Sequence, residues 1–144
     1  MAFGFQAPQH EVLYKWPEPS TSFVKEPTLT KLPRTFHSFS ELMLSWEVET
    51  DDGNLLERLR FINPYVHAVY RLWAVPEFAS IAYDKVISFP ASDLLLATRR
   101  RVASRPTKEV NVADLQHFAV MFDDGPFYEF IAAGFEHDRS PVSK

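Results

Sequence analysis

Two histidines have a charged residue at helical spacing, an arrangement that can support acid–base chemistry on one face of a helix. Asp114 lies three residues before His117, and a carboxylate at that spacing orients an imidazole and favours its charged form. His67 lies four residues before Arg71 in a largely apolar segment. Because a histidine that lines a pocket can be a general base, His67 or His117 would serve a small acid–base enzyme. A solvated polar face explains the same residues more simply, so we assign no catalytic residue.

The spacing of the other polar residues does not predict a metal or nucleotide site. No two histidines are four residues apart, and the chain has no cysteine. The carboxylates of "DDGP" at 123–126 lack the alternating ligands of a calcium loop and instead suit a turn before a helix. The four glycines are far apart, so no glycine-rich phosphate loop is present. We therefore expect no metal and no cofactor.

A basic segment, "RRRVASRPTK", is the candidate phosphate-binding stretch. Its cations are Arg99, Arg100, Arg101, Arg105 and Lys108. Consecutive side chains fan about 200° around a helix, so the three adjacent arginines cannot all face one groove. Dipole stabilisation at a helix end explains them as well, so nucleic-acid contact is an alternative that we do not favour. Residues 41–52 are acidic, and a basic and an acidic patch on one small domain suit self-association or a complementary partner.

Composition and proline spacing indicate which elements carry these residues. The chain has 144 residues, 46% of them hydrophobic, and only four glycines, which favours one domain built from helices. Five of the eleven prolines lie in the first 35 residues, and the other six are spaced through the rest. Because proline is tolerated in the first turn of a helix and ends it elsewhere, the second group predicts helix boundaries.

These boundaries predict a mainly α fold, a compact bundle of six or seven short helices. The predicted helices cover 38–50, 51–62, 64–75, 91–104 and three stretches that begin at 76, 111 and 126, although "KVISF" at the end of the fourth would also suit a short strand. The last two, with apolar residues at helical spacing, predict an antiparallel helical hairpin.

The segment 41–49 also suits a strand. Leu42, Leu44, Trp46 and Val48 alternate with more polar residues, as they would on a half-buried strand. Ser38 and Glu41 form a capping box, which favours the helix. An α+β fold with a strand at 41–49 is therefore the alternative.

The first 35 residues predict an extended arm rich in proline and aromatic residues. The segment 1–35 is too proline-rich for a helix and too apolar for an ordinary disordered tail. Its "EVLYKW" alternates as a strand would, and such a strand can extend a partner's sheet. The predicted partner-binding anchors are Tyr14, Trp16, Phe23, Leu29 and Leu32. A helical domain at 36–138 and a flexible tail at 139–144 would complete the chain.

These observations predict a non-catalytic interaction or assembly subunit. Its arm and aromatic surface would dock on a protein partner or on a second copy, giving a homo-oligomer. Nucleic-acid contact through 99–108, and an acid–base enzyme that uses His67 or His117, are the alternatives. No apolar run has the length of a signal peptide or a membrane span, so we expect a soluble, cytoplasmic protein with no membrane partner.

Overall fold

Strands dominate the described part of the chain. The computed structural model describes residues 9–16, 23–32, 41–71, 79–104, 111–122 and 126–142, with only the backbone at 25 and 26. The strands within these residues are β1 (Glu11–Lys15), β2 (Phe23–Leu32), β3 (Glu41–Thr50), β4 (Gly53–Ile62), β5 (Val66–Tyr70), β6 (Lys85–Ser88), β7 (Gln116–Met121), β8 (Phe127–Ala132) and β9 (Gly134–Pro141). They are accompanied by α1 (Asp93–Ala103) and by short 3-10 helices at Ala79–Ala82 and Val112–Asp114.

The strands form two antiparallel sheets that share one core. A five-stranded sheet has the order β1-β6-β7-β8-β5, and a four-stranded sheet has the order β2-β3-β4-β9. Buried side chains from both sheets make up a single hydrophobic cluster, with Trp46 and Phe61 from the four-stranded sheet and Phe118 and Phe130 from the five-stranded one. The rings of Phe61 and Phe130 stack with centroids 3.9 Å apart. The two sheets therefore pack face to face.

The prediction of a mainly α bundle is wrong. The segments 38–50, 51–62 and 64–75 were predicted as helices, yet their described parts contain β3, β4 and β5. The strand considered as the alternative at 41–49 is present as β3. The capping box carries no helix, because Glu41 is the first residue of β3, and its partner Ser38 lies outside the described residues.

The β3–β4 hairpin shows the period of two that a half-buried sheet requires. Leu42, Leu44, Trp46 and Val48 of β3 are buried, and they lie opposite Phe61, Leu59, Glu57 and Leu55 of β4. The turn between the strands ends at Gly53, whose φ of 112° is a conformation that side chains with a Cβ rarely adopt. The "DG" at 52–53 between two alternating runs is therefore a hairpin signal rather than a helix start.

The predicted helical hairpin at the end of the chain is a β-hairpin, β7–β8. All six residues of β8 and the last five of β7 are buried. Phe118, Val120 and Phe130 point to the four-stranded sheet, whereas Ala119 and Phe127 pack under the 3-10 helix Ala79–Ala82. Because both faces are covered, the sequence is apolar almost without alternation, and such a run is easily mistaken for a buried helix.

Of the predicted helices, 91–104 is confirmed and two others survive only as single turns. The N-cap of α1 is Ser92, whose Oγ accepts from the Leu95 N–H at 3.1 Å. Asp93 lies in its first turn and Arg100 and Arg101 in its last, as the helix dipole favours. The helix expected from 111 stops after the 3-10 turn Val112–Asp114. The fourth retains only the turn Ala79–Ala82, followed by β6 at the "KVISF" noted as a strand alternative.

Residues of the predicted arm take part in both sheets. β1 pairs with β6, and β2 pairs with β3, each at one edge of its sheet. At the other end of the chain, β9 pairs with β4 as far as Pro141. No helix among the described residues is both long and apolar enough to cross a membrane.

Replacing Trp16 tests whether β1 belongs to this core. Trp16→Ala removes a side chain that is only 2% exposed, so we expect the free energy of unfolding to fall by about 3–5 kcal/mol. Val12→Ala, at an exposed position of β1 just before Trp16, should change it by less than about 0.5 kcal/mol. Urea unfolding followed by circular dichroism measures both, and equal effects would contradict the placement of Trp16.

Candidate functional site

The aromatic anchors of the arm pack against the chain's own core. The Trp16 ring stacks on Phe122 with centroids 5.1 Å apart and lies 5.0 Å from Trp46. Phe23 is partly buried and lies 5.7 Å from each of the same two rings. Trp16 is therefore buried in the core of its own chain, and partner binding through this anchor stays a prediction.

Two other predicted anchors of the arm, Leu29 and Leu32, are less buried than Trp16. Leu29 is partly buried against the core, and Leu32 ends β2 at intermediate exposure. Among the described residues of the arm, the large apolar side chains that are exposed are Val12 and Leu13 on β1 and Val24 on β2. Partner binding through Leu29 and Leu32 therefore stays a prediction.

Tyr14 packs on a charged group that is buried under the inner face of the four-stranded sheet. Its ring lies 4.1 Å from the imidazole of His137. His137 Nε2 is 2.5 Å from Glu57 Oε2, and Arg139 forms an ion pair with the other oxygen of this carboxylate. The Glu57 side chain is 0% exposed, so Arg139 and the imidazole of His137 take the place of water as its polar partners. We call Glu57, His137 and Arg139 the inner ion cluster.

A second polar group, which we call the polar chain, lies on the far side of the five-stranded sheet. Ser92 Oγ is 2.7 Å from His117 Nδ1, and His117 Nε2 is 2.6 Å from Glu129 Oε1. The hydroxyl of Tyr70 donates to Glu129 Oε2 at 3.0 Å. Four side chains from four separate elements are thus hydrogen-bonded in one line.

Strand register explains how these side chains meet. Glu129 pairs directly with Ala119 of β7 and with Ala68 of β5. His117 and Tyr70 each lie two residues from those alanines, so both are diagonal neighbours of Glu129 on the same face. The N-terminus of α1 lies over this face, because Leu95 packs with Leu115 and Ile131. Ser92, the N-cap, is thereby brought to His117.

Burial and hydrogen bonding decide the charge of Glu129. His117 and Glu129 are 3% and 7% exposed. Burial alone would raise the pKa of Glu129, but the hydrogen bond and charge of His117, with the hydrogen bond from Tyr70, hold this pKa below its usual value. Burial, together with the Glu129 charge and hydrogen bond, raises the pKa of Tyr70. The pair is therefore a carboxylate that accepts and a phenol that donates.

The sequence prediction of His117 as a site residue had the wrong partner. Asp114 is exposed in the 3-10 turn, and it does not appear in the polar chain. The partners present, Glu129, Ser92 and Tyr70, lie at sequence separations where helical spacing carries no information. A buried carboxylate within the apolar run "FYEFIA" was the available signal, because a charge in such a strand needs a partner.

The other residues predicted from the sequence, His67 and the described part of the basic segment 99–108, do not join either polar group. His67 is exposed on β5, on the opposite face from Tyr70. Arg99 donates to the carbonyl of Leu115 at 2.8 Å and so ties α1 to the start of β7. Arg100 and Arg101 are exposed, and Arg105 and Lys108 lie outside the described residues, as do residues 123–125 of "DDGP". Phosphate binding by this segment stays a prediction.

No cluster that would hold a metal is found among the described side chains, where groups of three or more His, Cys, Asp or Glu are absent. Comparison with protein-family models, with curated proteins and with solved structures finds no match to this chain. Its function must therefore be inferred from the sheet edges, the inner ion cluster and the polar chain.

The lowered pKa of Glu129 predicts a pH dependence of stability. A carboxylate whose pKa is lower when folded stabilises the fold above its unfolded value of about 4.5, and this contribution is lost as pH falls through the folded pKa. Glu129→Gln removes the titration. We expect urea unfolding at neutral pH to show a loss of about 1–3 kcal/mol.

The difference between Glu129→Gln and the wild-type protein should then shrink as the pH falls below 4.5. Glu136→Gln, at an exposed outer-face position paired with Arg60, is the control. A constant difference from pH 7 to pH 3 would contradict this role of Glu129.

The inner ion cluster gives a second comparison of buried and exposed charge. Glu57→Ala leaves Arg139 and His137 without their carboxylate, and we expect a loss of about 3 kcal/mol in the free energy of unfolding. Asp138→Ala breaks the exposed pair with Arg58 and should cost less than about 1 kcal/mol. Chemical unfolding at pH 7 measures both, and similar losses would show that Glu57 is not buried with its partners.

Proposed function

We propose that this chain is an assembly subunit that binds a protein partner through the edge of β5 with which no other described strand pairs, and that the simplest partner is a second copy. The observation that carries the proposal is the composition of β5 as an edge strand. Edge strands present unpaired backbone groups, and natural sheets normally protect them with charge, proline or bulges. β5 has none of these devices.

The other edge strands are protected. β1 carries Glu11 and Lys15, with an irregularity in its ladder. β2 contains Pro27 and two ladder irregularities, and β9 contains Pro141 and several charged residues. β5, with the sequence VHAVY, is the only one of the four described edges without charge or proline.

Exposed apolar side chains beside β5 also support the proposal that this edge binds a partner. Val69 of β5 is 51% exposed, and Tyr65 just before the strand is exposed as well. Large apolar side chains in the open next to an unprotected edge are typical of an interaction surface. A strand added there would gain backbone hydrogen bonds and would cover these side chains.

The sequence of β5 suits pairing with itself. Antiparallel pairing about Ala68 would place Val66 opposite Tyr70 of the second copy and His67 opposite Val69. Aromatic and β-branched side chains are favourable cross-strand partners, and no like-charged pair is created within the strand. The two five-stranded sheets would then become one continuous sheet.

A lysine at the edge tests the proposal. Val69→Lys places a charge against the incoming strand, and we expect the dissociation constant of the dimer to rise about 10-fold or more, since about 1.4 kcal/mol suffices. Sedimentation equilibrium should give twice the 16.6 kDa chain mass for the wild type and a shift to monomer for the variant.

Leu96→Lys is the matched control, because Leu96 is 40% exposed on α1 and is not part of any strand. It should leave the native mass unchanged, and circular dichroism should show that both variants fold. A wild type that stays monomeric at the highest soluble concentration would contradict pairing with a second copy. A dimer that Val69→Lys leaves intact would contradict the β5 edge.

A further inference from the structure

We infer that Ser92 is a nucleophile for small neutral carboxylic esters, activated by His117 as base, with Glu129 as the positioning residue. This inference does not depend on the β5 edge. It rests on the polar chain, where a hydroxyl, an imidazole and a carboxylate lie in hydrogen-bonded sequence at 2.7 and 2.6 Å. A nucleophile within reach of a base that a third group orients is the general signature of covalent catalysis.

Tyr70 fixes the direction of the protons. Its hydroxyl donates to Glu129, and the pKa of Glu129 is lowered, so Glu129 is an ionised acceptor on both oxygens. His117 Nε2 must then donate to Oε1, which in the neutral imidazole leaves the lone pair of Nδ1 facing Ser92. In this neutral form of the imidazole, the Ser92 hydroxyl donates to the lone pair of Nδ1. The hydrogen bonds of the polar chain therefore orient His117 so that its Nδ1 can take a proton from Ser92.

The imidazole is used in the opposite sense from that of the serine-protease triad, where the serine contacts Nε2. Here Ser92 contacts Nδ1 and Glu129 contacts Nε2. Either ring nitrogen can accept a proton while the other donates, so the reversal leaves the chemistry intact. It also explains why the carboxylate comes from the sheet and the serine from the covering helix.

Ser92 and the residues that would activate it differ in their exposure to solvent. Ser92 is partly exposed, whereas His117 and Glu129 are buried. The inference requires that a substrate reach the hydroxyl from this exposed side, while the base stays shielded from water. Electrostatic interactions are stronger in such a buried environment than in water. Ser92 also lies at the start of an 11-residue helix, whose positive end favours the oxyanion that forms on attack.

The charge at this helix start selects the substrate. Asp93, next to Ser92, is exposed and would repel an anionic phosphate or carboxylate group. No described side chain in the polar chain is a fixed cation that would bind such an anion. A neutral ester fits these surroundings better than a phosphoester does.

The reaction balances with water as the second substrate. Ser92 Oγ forms a bond to the carbonyl carbon while its proton moves to His117 Nδ1, and the ester C–O bond breaks as the leaving alcohol takes that proton. Water then attacks the acylated Ser92, giving a proton to Nδ1, and the carboxylic acid departs as the proton returns to Oγ. Glu129 stays ionised throughout and holds the imidazole.

A fluorophosphonate probe tests Ser92 directly on the full chain. The probe is neutral and forms a stable adduct with an activated serine. We expect one adduct per chain by intact mass, mapped to Ser92 by peptide analysis, and a slow hydrolysis of p-nitrophenyl acetate that the adduct abolishes. Heat- or urea-unfolded protein should not react, because the hydroxyl is activated only by the folded polar chain.

Three variants separate catalysis from the structural role of the N-cap. Ser92→Asn keeps a good N-cap and should fold, but it cannot be labelled. His117→Gln should slow labelling about 100-fold or more, since general-base catalysis contributes 10²–10⁴. Glu129→Gln should move the pH midpoint of the labelling rate, and Ser104→Ala, at the exposed C-cap, should change nothing.

The inference is overturned if the folded wild type forms no Ser92 adduct. It is also overturned if His117→Gln, shown by circular dichroism to be folded, labels at the wild-type rate. Should Ser92→Asn fold and hydrolyse the acetate as fast as the wild type, another group is responsible and Ser92 only caps α1.

Discussion

Burial of the β7–β8 hairpin on both faces is the constraint on which the rest of this structure depends. One face lies against the four-stranded sheet, and the other lies under α1 and the 3-10 helix Ala79–Ala82. Such a hairpin excludes water from all six side chains of β8 and from the last five of β7. Each polar group on it must therefore find a partner from another element, or the fold loses the free energy of an unpaired buried group. Among these groups are His117 and Glu129, and their requirement for partners links β7 and β8 to α1 and β5.

The same constraint explains why the N-terminal strands are part of the domain. The inner face of the hairpin ends at Phe122, and Trp16 stacks on this ring together with Trp46 of the opposite sheet. The arm therefore closes one region of the core while its strands occupy one edge of each sheet. Tyr14 extends this contact to the inner ion cluster through His137. A chain without these residues would expose large aromatic surface between its sheets.

β5 connects the two functional proposals. Tyr70 points to the covered face and ends the polar chain at Glu129, whereas Val69, the residue before it, points the other way and is exposed beside the free edge. A strand bound at this edge would restrict the same backbone that positions Tyr70. The proposals remain separately testable, because Val69 touches neither Ser92 nor His117, and neither of those residues lies on β5.

The sequence by itself determined the local features, and the tertiary structure decided the fold. The N-cap and charges of α1, the alternation of residues 42–48 and the apolar character of 126–132 depend on neighbours along the chain, so they are visible in the sequence. Helix was assigned to β7 and β8 because low glycine content and helical apolar spacing also arise where strands are covered on both faces. The partners of His117 come from residues 12 and 25 positions away, with Tyr70 reaching Glu129 across 59. Only strand pairing brings such residues together, since burial and hydrogen bonding act through space and not along the chain.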